Sequence, residues 1–172
     1  RDVCDMTQRA FITSLLFAVT SLMAQTPDWK AIPPDLTVPA VTHGPPSPGK
    51  RVPQTAVGWE CTSVYHLLHL PTDWQPGKKY PVIIEYAGNG PYSDARGDTC
   101  DGSVEGCILG YGISGGKGMI WASLPFIEEQ NGITQNAQRW WGDVEETKRY
   151  CLETVRDLCA RFGGDSQRVF IT

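Results

Sequence analysis

The sequence is short of several features that mark particular classes of protein. It has only three histidines, and its formal net charge of −4 is spread without any block of like charges. Proteins that bind nucleic acid or an anionic membrane surface normally present a basic patch. The lack of one removes both partners from our expectations and leaves small or neutral ligands open.

The chain also lacks an apolar run of the ~20 residues that a membrane-spanning helix needs. Its longest apolar stretch, residues 10–24, follows a short basic start at Met6–Arg9 and ends at Ala24. This pattern predicts a signal peptide over residues 1–24, with the true start at Met6. We therefore expect a secreted or periplasmic protein without other membrane attachment. A buried or amphipathic helix is the alternative for this stretch.

Metal-ligating residues are not spaced for a metal site. His66 and His69 lie three residues apart in a strand-like region, where their side chains would point to opposite faces. Four acidic residues between positions 94 and 105 suggest calcium, but they do not follow the spacing of an EF-hand loop. We expect no metal, two structural histidines and a solvated acidic loop.

Proline divides the chain into segments. Most of the thirteen prolines lie between residues 25 and 55. Because proline lacks an amide donor and favours extended backbone, this stretch is predicted to be a linker with neither helix nor ladder. A ligand for an aromatic groove is the alternative. Residues 56–172 are the predicted folded domain.

Two stretches of this domain have clear local signals. Tyr80–Tyr86 is rich in β-branched and aromatic residues and predicts a buried strand, which runs into the glycines of residues 87–90. Residues 143–162 carry apolar residues at three- and four-residue steps and predict a helix with Asp143 as its N-cap. Arg168–Thr172 predicts a second buried strand, and residues 128–138 a polar loop.

The cysteines fall into two groups. Cys100 and Cys107 bracket a short polar segment, and in an exported protein such closely spaced cysteines predict a disulfide; two free thiols are the alternative. Cys151 and Cys159 are separated by about 12 Å of rise on the predicted helix and cannot bridge each other. The pairing of these two and of Cys61 stays open.

The order of these motifs resembles the first half of the α/β-hydrolase family. A strand that empties into Gly-x-Gly is followed by a helix, a Gly-Gly-Asp turn and the strand Arg168–Thr172, which resembles the approach to the nucleophile elbow. In that family Gly-x-Ser-x-Gly would come next. The resemblance implies an α/β fold, a three-layer α/β/α sandwich with a mostly parallel sheet. It makes residues 56–172 the N-terminal half, with nucleophile, acid and histidine after Thr172.

The same resemblance assigns a role to the loop after Tyr86. Lipases and esterases carry a His-Gly-Gly-Gly-type motif there, whose backbone amides bind an oxyanion. Here Ala87 replaces the histidine, and Gly88, Asn89 and Gly90 follow in register. The resemblance implies a backbone oxyanion hole at these three residues, with Asn89 the favoured donor. A plain turn is the alternative.

A second match to Gly-x-Ser-x-Gly lies around Ser114. A nucleophile elbow follows a buried strand and opens a helix. Ser114 instead follows a loop and precedes the apolar stretch Met119–Phe126. We therefore expect that Ser114 is not the nucleophile.

The resemblance implies a secreted serine hydrolase, with a carboxylic ester as its first substrate class. The ester would belong to a small molecule, a polysaccharide or a polyester, and acyl transfer through serine needs no cofactor. The chain as given is expected to be inactive, because the nucleophile lies beyond it. The alternatives are a noncatalytic secreted module that binds carbohydrate or another ligand, and a serine peptidase of the same fold. Oligomeric state stays open.

Overall fold

The computed structural model describes residue 28 and residues 31–33, 35–139 and 141–172. The predicted signal peptide over residues 1–24 lies outside these residues. The chain divides into two compact units, Arg1–Pro34 and Asp35–Thr172. Every helix and strand described below belongs to the second unit.

Eleven elements make up the described part of this unit. In chain order they are β1 (Arg51–Gln54), β2 (His66–His69), β3 (Tyr80–Tyr86), β4 (Tyr92–Ser93), β5 (Thr99–Cys100), α1 (Leu109–Ser114), β6 (Ile120–Leu124), β7 (Phe126–Gln130), β8 (Ile133–Ala137), α2 (Val144–Arg161) and β9 (Gly164–Ile171).

The central sheet has five strands in the order β1-β2-β6-β3-β9. The β1–β2 and β2–β6 pairs are antiparallel, and the β6–β3 and β3–β9 pairs are parallel. Two small antiparallel sheets, β4–β5 and β7–β8, complete the strands of the described residues. The helices of this part are α1, with six residues, and α2, with eighteen. The prediction of a three-layer α/β/α sandwich with a mostly parallel sheet is therefore wrong.

One cause of this error is β1, which lies within the predicted linker. Arg51 pairs with His69 and Pro53 with Leu67, so the prediction that residues 25–55 form no ladder fails at this point. Proline is tolerated there because β1 is an edge strand, where a missing amide donor need not cost a ladder hydrogen bond. The resulting antiparallel pair makes the sheet mixed.

A second cause is the β7–β8 hairpin, which replaces the predicted loop at residues 128–138. Asn131 and Gly132 form its turn, with φ angles of 54° and 77°. Positive φ at both central residues is the geometry of a type I′ turn, for which Asn-Gly is the preferred pair. The Asn131-Gly132 dipeptide is thus a sequence signal that predicts this hairpin.

The core lies on both faces of the central sheet. Along β3, Val82 and Ile84 belong to the larger apolar cluster with Tyr150 and Leu158 of α2. Ile83, which points the other way because side chains alternate along a strand, belongs to a smaller cluster that Tyr111 of α1 also contacts. The two helices therefore contact opposite faces of the sheet.

The predicted helix is confirmed as α2. The Asp143 side chain caps it by accepting a hydrogen bond from the Glu146 N–H at 2.9 Å. Tyr150, Thr154 and Leu158 are fully buried at four-residue steps, as an amphipathic helix requires. Beyond the helix, a Cβ at Gly163 would lie 2.2 Å from the Lys78 carbonyl oxygen, so this turn accommodates only glycine.

The strand predicted at Arg168–Thr172 is present as part of β9, but it is not buried. Within the described residues β9 forms one edge of the sheet and pairs only with β3. Phe170 is 54% exposed and Ile171 is 67% exposed. Their apolar character predicted a buried strand, whereas the structure leaves both on the surface.

No helix in the described part of the chain has the length and apolar character to cross a bilayer.

Candidate functional site

The parallel strands β3 and β9 end side by side. Ile84 is paired with Ile171, and the Thr172 N–H donates to the Ile84 carbonyl at 2.9 Å. The Tyr86 N–H in turn donates to the Thr172 carbonyl at 3.0 Å. Since both strands run in the same direction, the loop that leaves β3 starts beside the end of β9.

That loop holds the three glycine-loop residues predicted from the sequence. Gly88 and Asn89 are exposed, whereas Gly90 is buried. The Gly90 N–H donates to the Gln138 carbonyl at 3.0 Å, so this amide is already occupied. Among the described residues the Gly88 N–H has no hydrogen-bond acceptor.

A cleft of about 510 Å³ opens beside Gly88. The residues that line it are Glu85, Tyr86, Ala87, Gly88, Pro91, Tyr92, Thr99, Cys100, Asp101, Ser103, Gly106, Cys107, Ile108 and Leu109. Asn89 and Gly90 are not part of this lining. The backbone oxyanion hole stays a prediction, and Gly88 is the member of the trio that lines this cleft.

Glu85 closes the floor of the cleft and was not singled out by the sequence analysis. Its Oε1 accepts from the Ile108 and Leu109 N–H groups at 3.0 Å each. Its Oε2 accepts from the Gly110 N–H at 2.7 Å and from Trp121 Nε1 at 2.8 Å. A carboxylate with four donors is a structural anchor, because few of its lone pairs remain for a substrate. It fixes the start of α1 against the sheet.

Arg51 anchors residues 104–107, which precede α1 and belong to the wall of the cleft. Its Nη2 donates to the carbonyls of Val104 at 2.7 Å and Cys107 at 3.0 Å, and Nη1 donates to the Glu105 carbonyl at 3.1 Å. The guanidinium also lies over the Trp121 ring, 4.6 Å from its centroid. Burial lowers the pKa of Arg51. Arg51 and Glu85 together hold residues 104–110 in place.

Both cysteines of the predicted disulfide line the cleft, and both are free thiols in the structure. Cys107 is buried, and this burial, together with the nearby charge of Glu85, raises the pKa of its thiol to about 12. Cys100 is half-buried and lies against Gly88, since a Cβ on that glycine would be 3.1 Å from Cys100 Sγ. The pairing of Cys100 with Cys107 stays a prediction.

Ser114 does not have the setting of a nucleophile. It is the last residue of α1, and β6 follows it, so the order of elements is helix then strand. An elbow serine needs a strand before it and a helix after it. The Ser114 Oγ donates to the Tyr111 carbonyl at 3.4 Å and accepts from the Gly116 N–H at 3.1 Å. Its hydroxyl serves the turn that ends α1.

The two strand histidines lie on opposite faces of the sheet, as their spacing predicted. His66 Nδ1 is 2.9 Å from the Tyr150 hydroxyl, and burial lowers the His66 pKa to about 3. His69 packs against the rings of Tyr111 and Trp121 at centroid distances of 5.4 and 6.0 Å. Its two ring nitrogens are buried without a partner in the described part of the chain, and burial lowers its pKa to about 4.

Neither histidine lines the cleft. Residues 35–139 and 141–172 contain no group of three or more histidine, cysteine or acidic side chains arranged to hold a metal ion.

A scan against protein-family models found no match, and searches of curated proteins and of solved structures found none either.

Proposed function

We propose that this chain contributes the oxyanion-binding side of a secreted serine hydrolase that cleaves carboxylic esters. The proposal concerns the chemistry of the site and does not depend on a three-layer sandwich. The observation that carries it is the pairing of Tyr86 with Thr172 across β3 and β9. In a longer product of the gene, the chain that continues from Thr172 would start close to the loop that contains Gly88.

This arrangement fits the requirements of acyl transfer. A serine that attacks an ester carbonyl creates a negatively charged oxygen, which needs preorganised N–H donors about 3 Å away. In serine hydrolases with a nucleophile elbow, one donor follows the serine and another comes from a loop after a neighbouring strand. Gly88 is suited to be the second donor, because it is exposed, lines the cleft and carries an amide without an acceptor in the described residues.

The remaining catalytic groups are proposed to come from residues after Thr172. Within the described residues Ser114 ends a helix, and His66 and His69 are buried away from the cleft. None of them is placed to act as a nucleophile or as its base. The proposed mechanism has two steps, in which the serine forms an acyl-enzyme and water then releases the acid. The 172-residue chain alone is predicted to be inactive.

Export of the enzyme is part of the same proposal. It rests on the sequence pattern of residues 6–24, a basic start followed by an apolar stretch that ends at Ala24. N-terminal sequencing of the protein collected outside the cytoplasm checks this part. A mature N-terminus at Gln25 supports it, and an intact start at Met6 contradicts it.

The catalytic part is tested with a longer product of the gene that continues past Thr172. The expected result is hydrolysis of phenyl acetate that depends on the serine of a Gly-x-Ser-x-Gly motif just after Thr172, and that is lost when this serine is replaced by alanine. Ser114→Ala is the matched control and should retain the rate. Cleavage of peptides but not esters would favour a peptidase. Ligand binding without any turnover would favour the noncatalytic module.

A further inference from the structure

The charges around the Gly88 cleft are predominantly negative. Asp101 is an exposed acid in its lining, and Glu85 lies at its floor. No lysine or arginine lines the cleft within the described residues. The loop that forms its wall, residues 93–107, also carries Asp94, Asp98 and Glu105 against one arginine, Arg96. An anionic ligand would therefore enter against a repulsive field.

Arg51, a buried cation, interacts electrostatically with Glu85 and Glu105, but it is not exposed in the cleft. Its guanidinium lies behind the wall, where it donates to the carbonyls of residues 104, 105 and 107. It is only 4% exposed and is not part of the cleft lining. Its Nη atoms donate to the wall and to Ser123, and its Nε is buried without a partner in the described residues, so Arg51 presents no exposed donor to a ligand carboxylate.

Hydrogen bonds from Ser103 hold the Asp101 side chain in position. Its Oδ1 accepts from the Ser103 N–H and from the Ser103 hydroxyl, both at 2.8 Å. No hydrogen bond within the described residues uses Oδ2. The carboxylate is thus held at the cleft by one oxygen, with the other left for solvent or ligand.

The rim of the cleft is apolar. Tyr92, Ile108 and Leu109 all line it, and these residues are 53%, 60% and 51% exposed. Large apolar side chains that gather at one opening favour the burial of an apolar group of a ligand. This rim and the acidic charge act on the same opening, next to Gly88.

We propose that the Gly88 cleft binds uncharged esters with an apolar group and rejects esters whose acyl chain ends in a carboxylate. The ester part of this inference rests on the proposed function, since it uses Gly88 as the donor to the reacting carbonyl. The charge selection is a property of the cleft. It holds for any small ligand and can be measured on the 172-residue chain without turnover.

The first experiment uses Cys100, which lines the cleft, as a reporter. The chain is kept reduced, and the labelling rates of each thiol with iodoacetamide, which is neutral, and iodoacetate, which is anionic, are followed by peptide mass spectrometry. Cys61 is exposed, does not line the cleft and serves as the internal reference. We expect the ratio of neutral to anionic labelling to be roughly threefold or more higher at Cys100 than at Cys61, from one close carboxylate.

Asp101→Asn tests the assigned charge, because an amide oxygen can still accept from Ser103. This variant should bring the Cys100 ratio close to that of Cys61. Asp157→Asn, on α2 and outside the cleft lining, is the matched control and should leave the ratio unchanged. Equal ratios at Cys100 and Cys61 in the unaltered chain, or failure of iodoacetamide to reach Cys100 at all, would overturn the proposal.

The second experiment uses a matched pair of ligands, phenyl butyrate and monophenyl succinate, which differ chiefly in a terminal methyl group against a carboxylate. Phenyl butyrate should slow iodoacetamide labelling of Cys100, monophenyl succinate should do so much less, and Leu109→Ser should weaken the protection. Equal protection by both ligands, or none by either, contradicts the inference. If protection occurs but the longer product hydrolyses no ester, the proposed function fails and the charge selection stands. If that product cleaves both esters equally well, the function stands and the selection fails.

Discussion

The Tyr86 N–H donates a hydrogen bond to the Thr172 carbonyl oxygen at 3.0 Å, although 86 positions separate the two residues in the sequence. Tyr86 is the last residue of β3, and Thr172 directly follows β9. The bond fixes the loop containing Gly88 next to the point where the backbone leaves β9. The proposed function depends on this contact and takes the cleft beside Gly88 as the substrate site.

Glu85→Gln should destabilise the fold. A glutamine oxygen cannot accept all four hydrogen bonds of the buried carboxylate, and its amide group would face the N–H donors of Ile108, Leu109, Gly110 and Trp121. Buried donors that lose their acceptor cost about 1–3 kcal/mol, so we expect the free energy of unfolding to fall by ~2–4 kcal/mol. Urea denaturation measures this loss.

Glu129→Gln is the matched control for that experiment. Glu129 lies on the exposed part of β7, and its substitution should change the free energy of unfolding by no more than about 0.5 kcal/mol. A Glu85→Gln variant as stable as the control would show that the carboxylate does not anchor α1.

Gly90→Ala should be poorly tolerated because of a backbone contact. A Cβ at Gly90 would lie 2.2 Å from the Gly102 nitrogen and 2.3 Å from the Asp101 carbonyl carbon. The loop would have to shift, so we expect a clear drop in melting temperature. Gly112→Ala has nothing within 4 Å of its added Cβ and lies within α1, where alanine is a better helix former. A Gly90→Ala variant with the same melting temperature as the unaltered chain would contradict the packing of this loop.

Stability should fall in mild acid because both strand histidines are buried and neutral. Their pKa values are lowered to about 3 for His66 and about 4 for His69, against 6.5 in the unfolded chain. The unfolded state therefore binds protons first as the pH drops. Stability that is fully present above pH 6.5 is lost toward pH 4, by up to about 1.4 kcal/mol per pH unit for each histidine.

His69→Leu isolates one of the two contributions. The variant has no titrating group at this position, so the slope of unfolding free energy against pH should be shallower than in the unaltered chain. Urea melts at pH 7, 6 and 5 measure both slopes. Identical slopes would mean that His69 has the same pKa in the folded and unfolded states, which would contradict its burial as a neutral group.

The edge formed by β9 should cause the isolated chain to associate. Phe170 and Ile171 are large, apolar and mostly exposed, next to a strand edge without a further partner in the described residues. Phe170→Lys should reduce the amount of larger species in sedimentation velocity runs. Ile133→Lys, a change of similar chemistry at a 53% exposed position of β8, should have little effect. A larger effect from Ile133→Lys would show that the surface responsible for association lies on the β7–β8 hairpin.

The elements that sequence patterns predicted well are those with local signals. α2 was predictable because Asp143 caps it and its apolar residues recur at helical steps, and β3 because Tyr80–Tyr86 is dense in β-branched residues. The β7–β8 hairpin has a signal in Asn131-Gly132, but its strands are mostly polar and therefore also fit a surface loop.

The mixed sheet and the cleft could not be predicted in the same way. The antiparallel pairing of β1 with β2 follows from packing rather than from any local pattern, and it overrode the proline-rich composition around Pro53. Arg51 and Glu85 are single charged residues whose partners lie 23 to 72 positions away, so their sequence neighbours say nothing of them. The cleft is formed by such long-range contacts.

The most direct test of the proposed function is to treat a longer product of the gene with a fluorophosphonate, which reacts covalently with activated serines, and to map the adduct by mass spectrometry. We expect a single adduct on a serine within a few residues after Thr172. An adduct on Ser114, or no adduct on a folded protein, would contradict it.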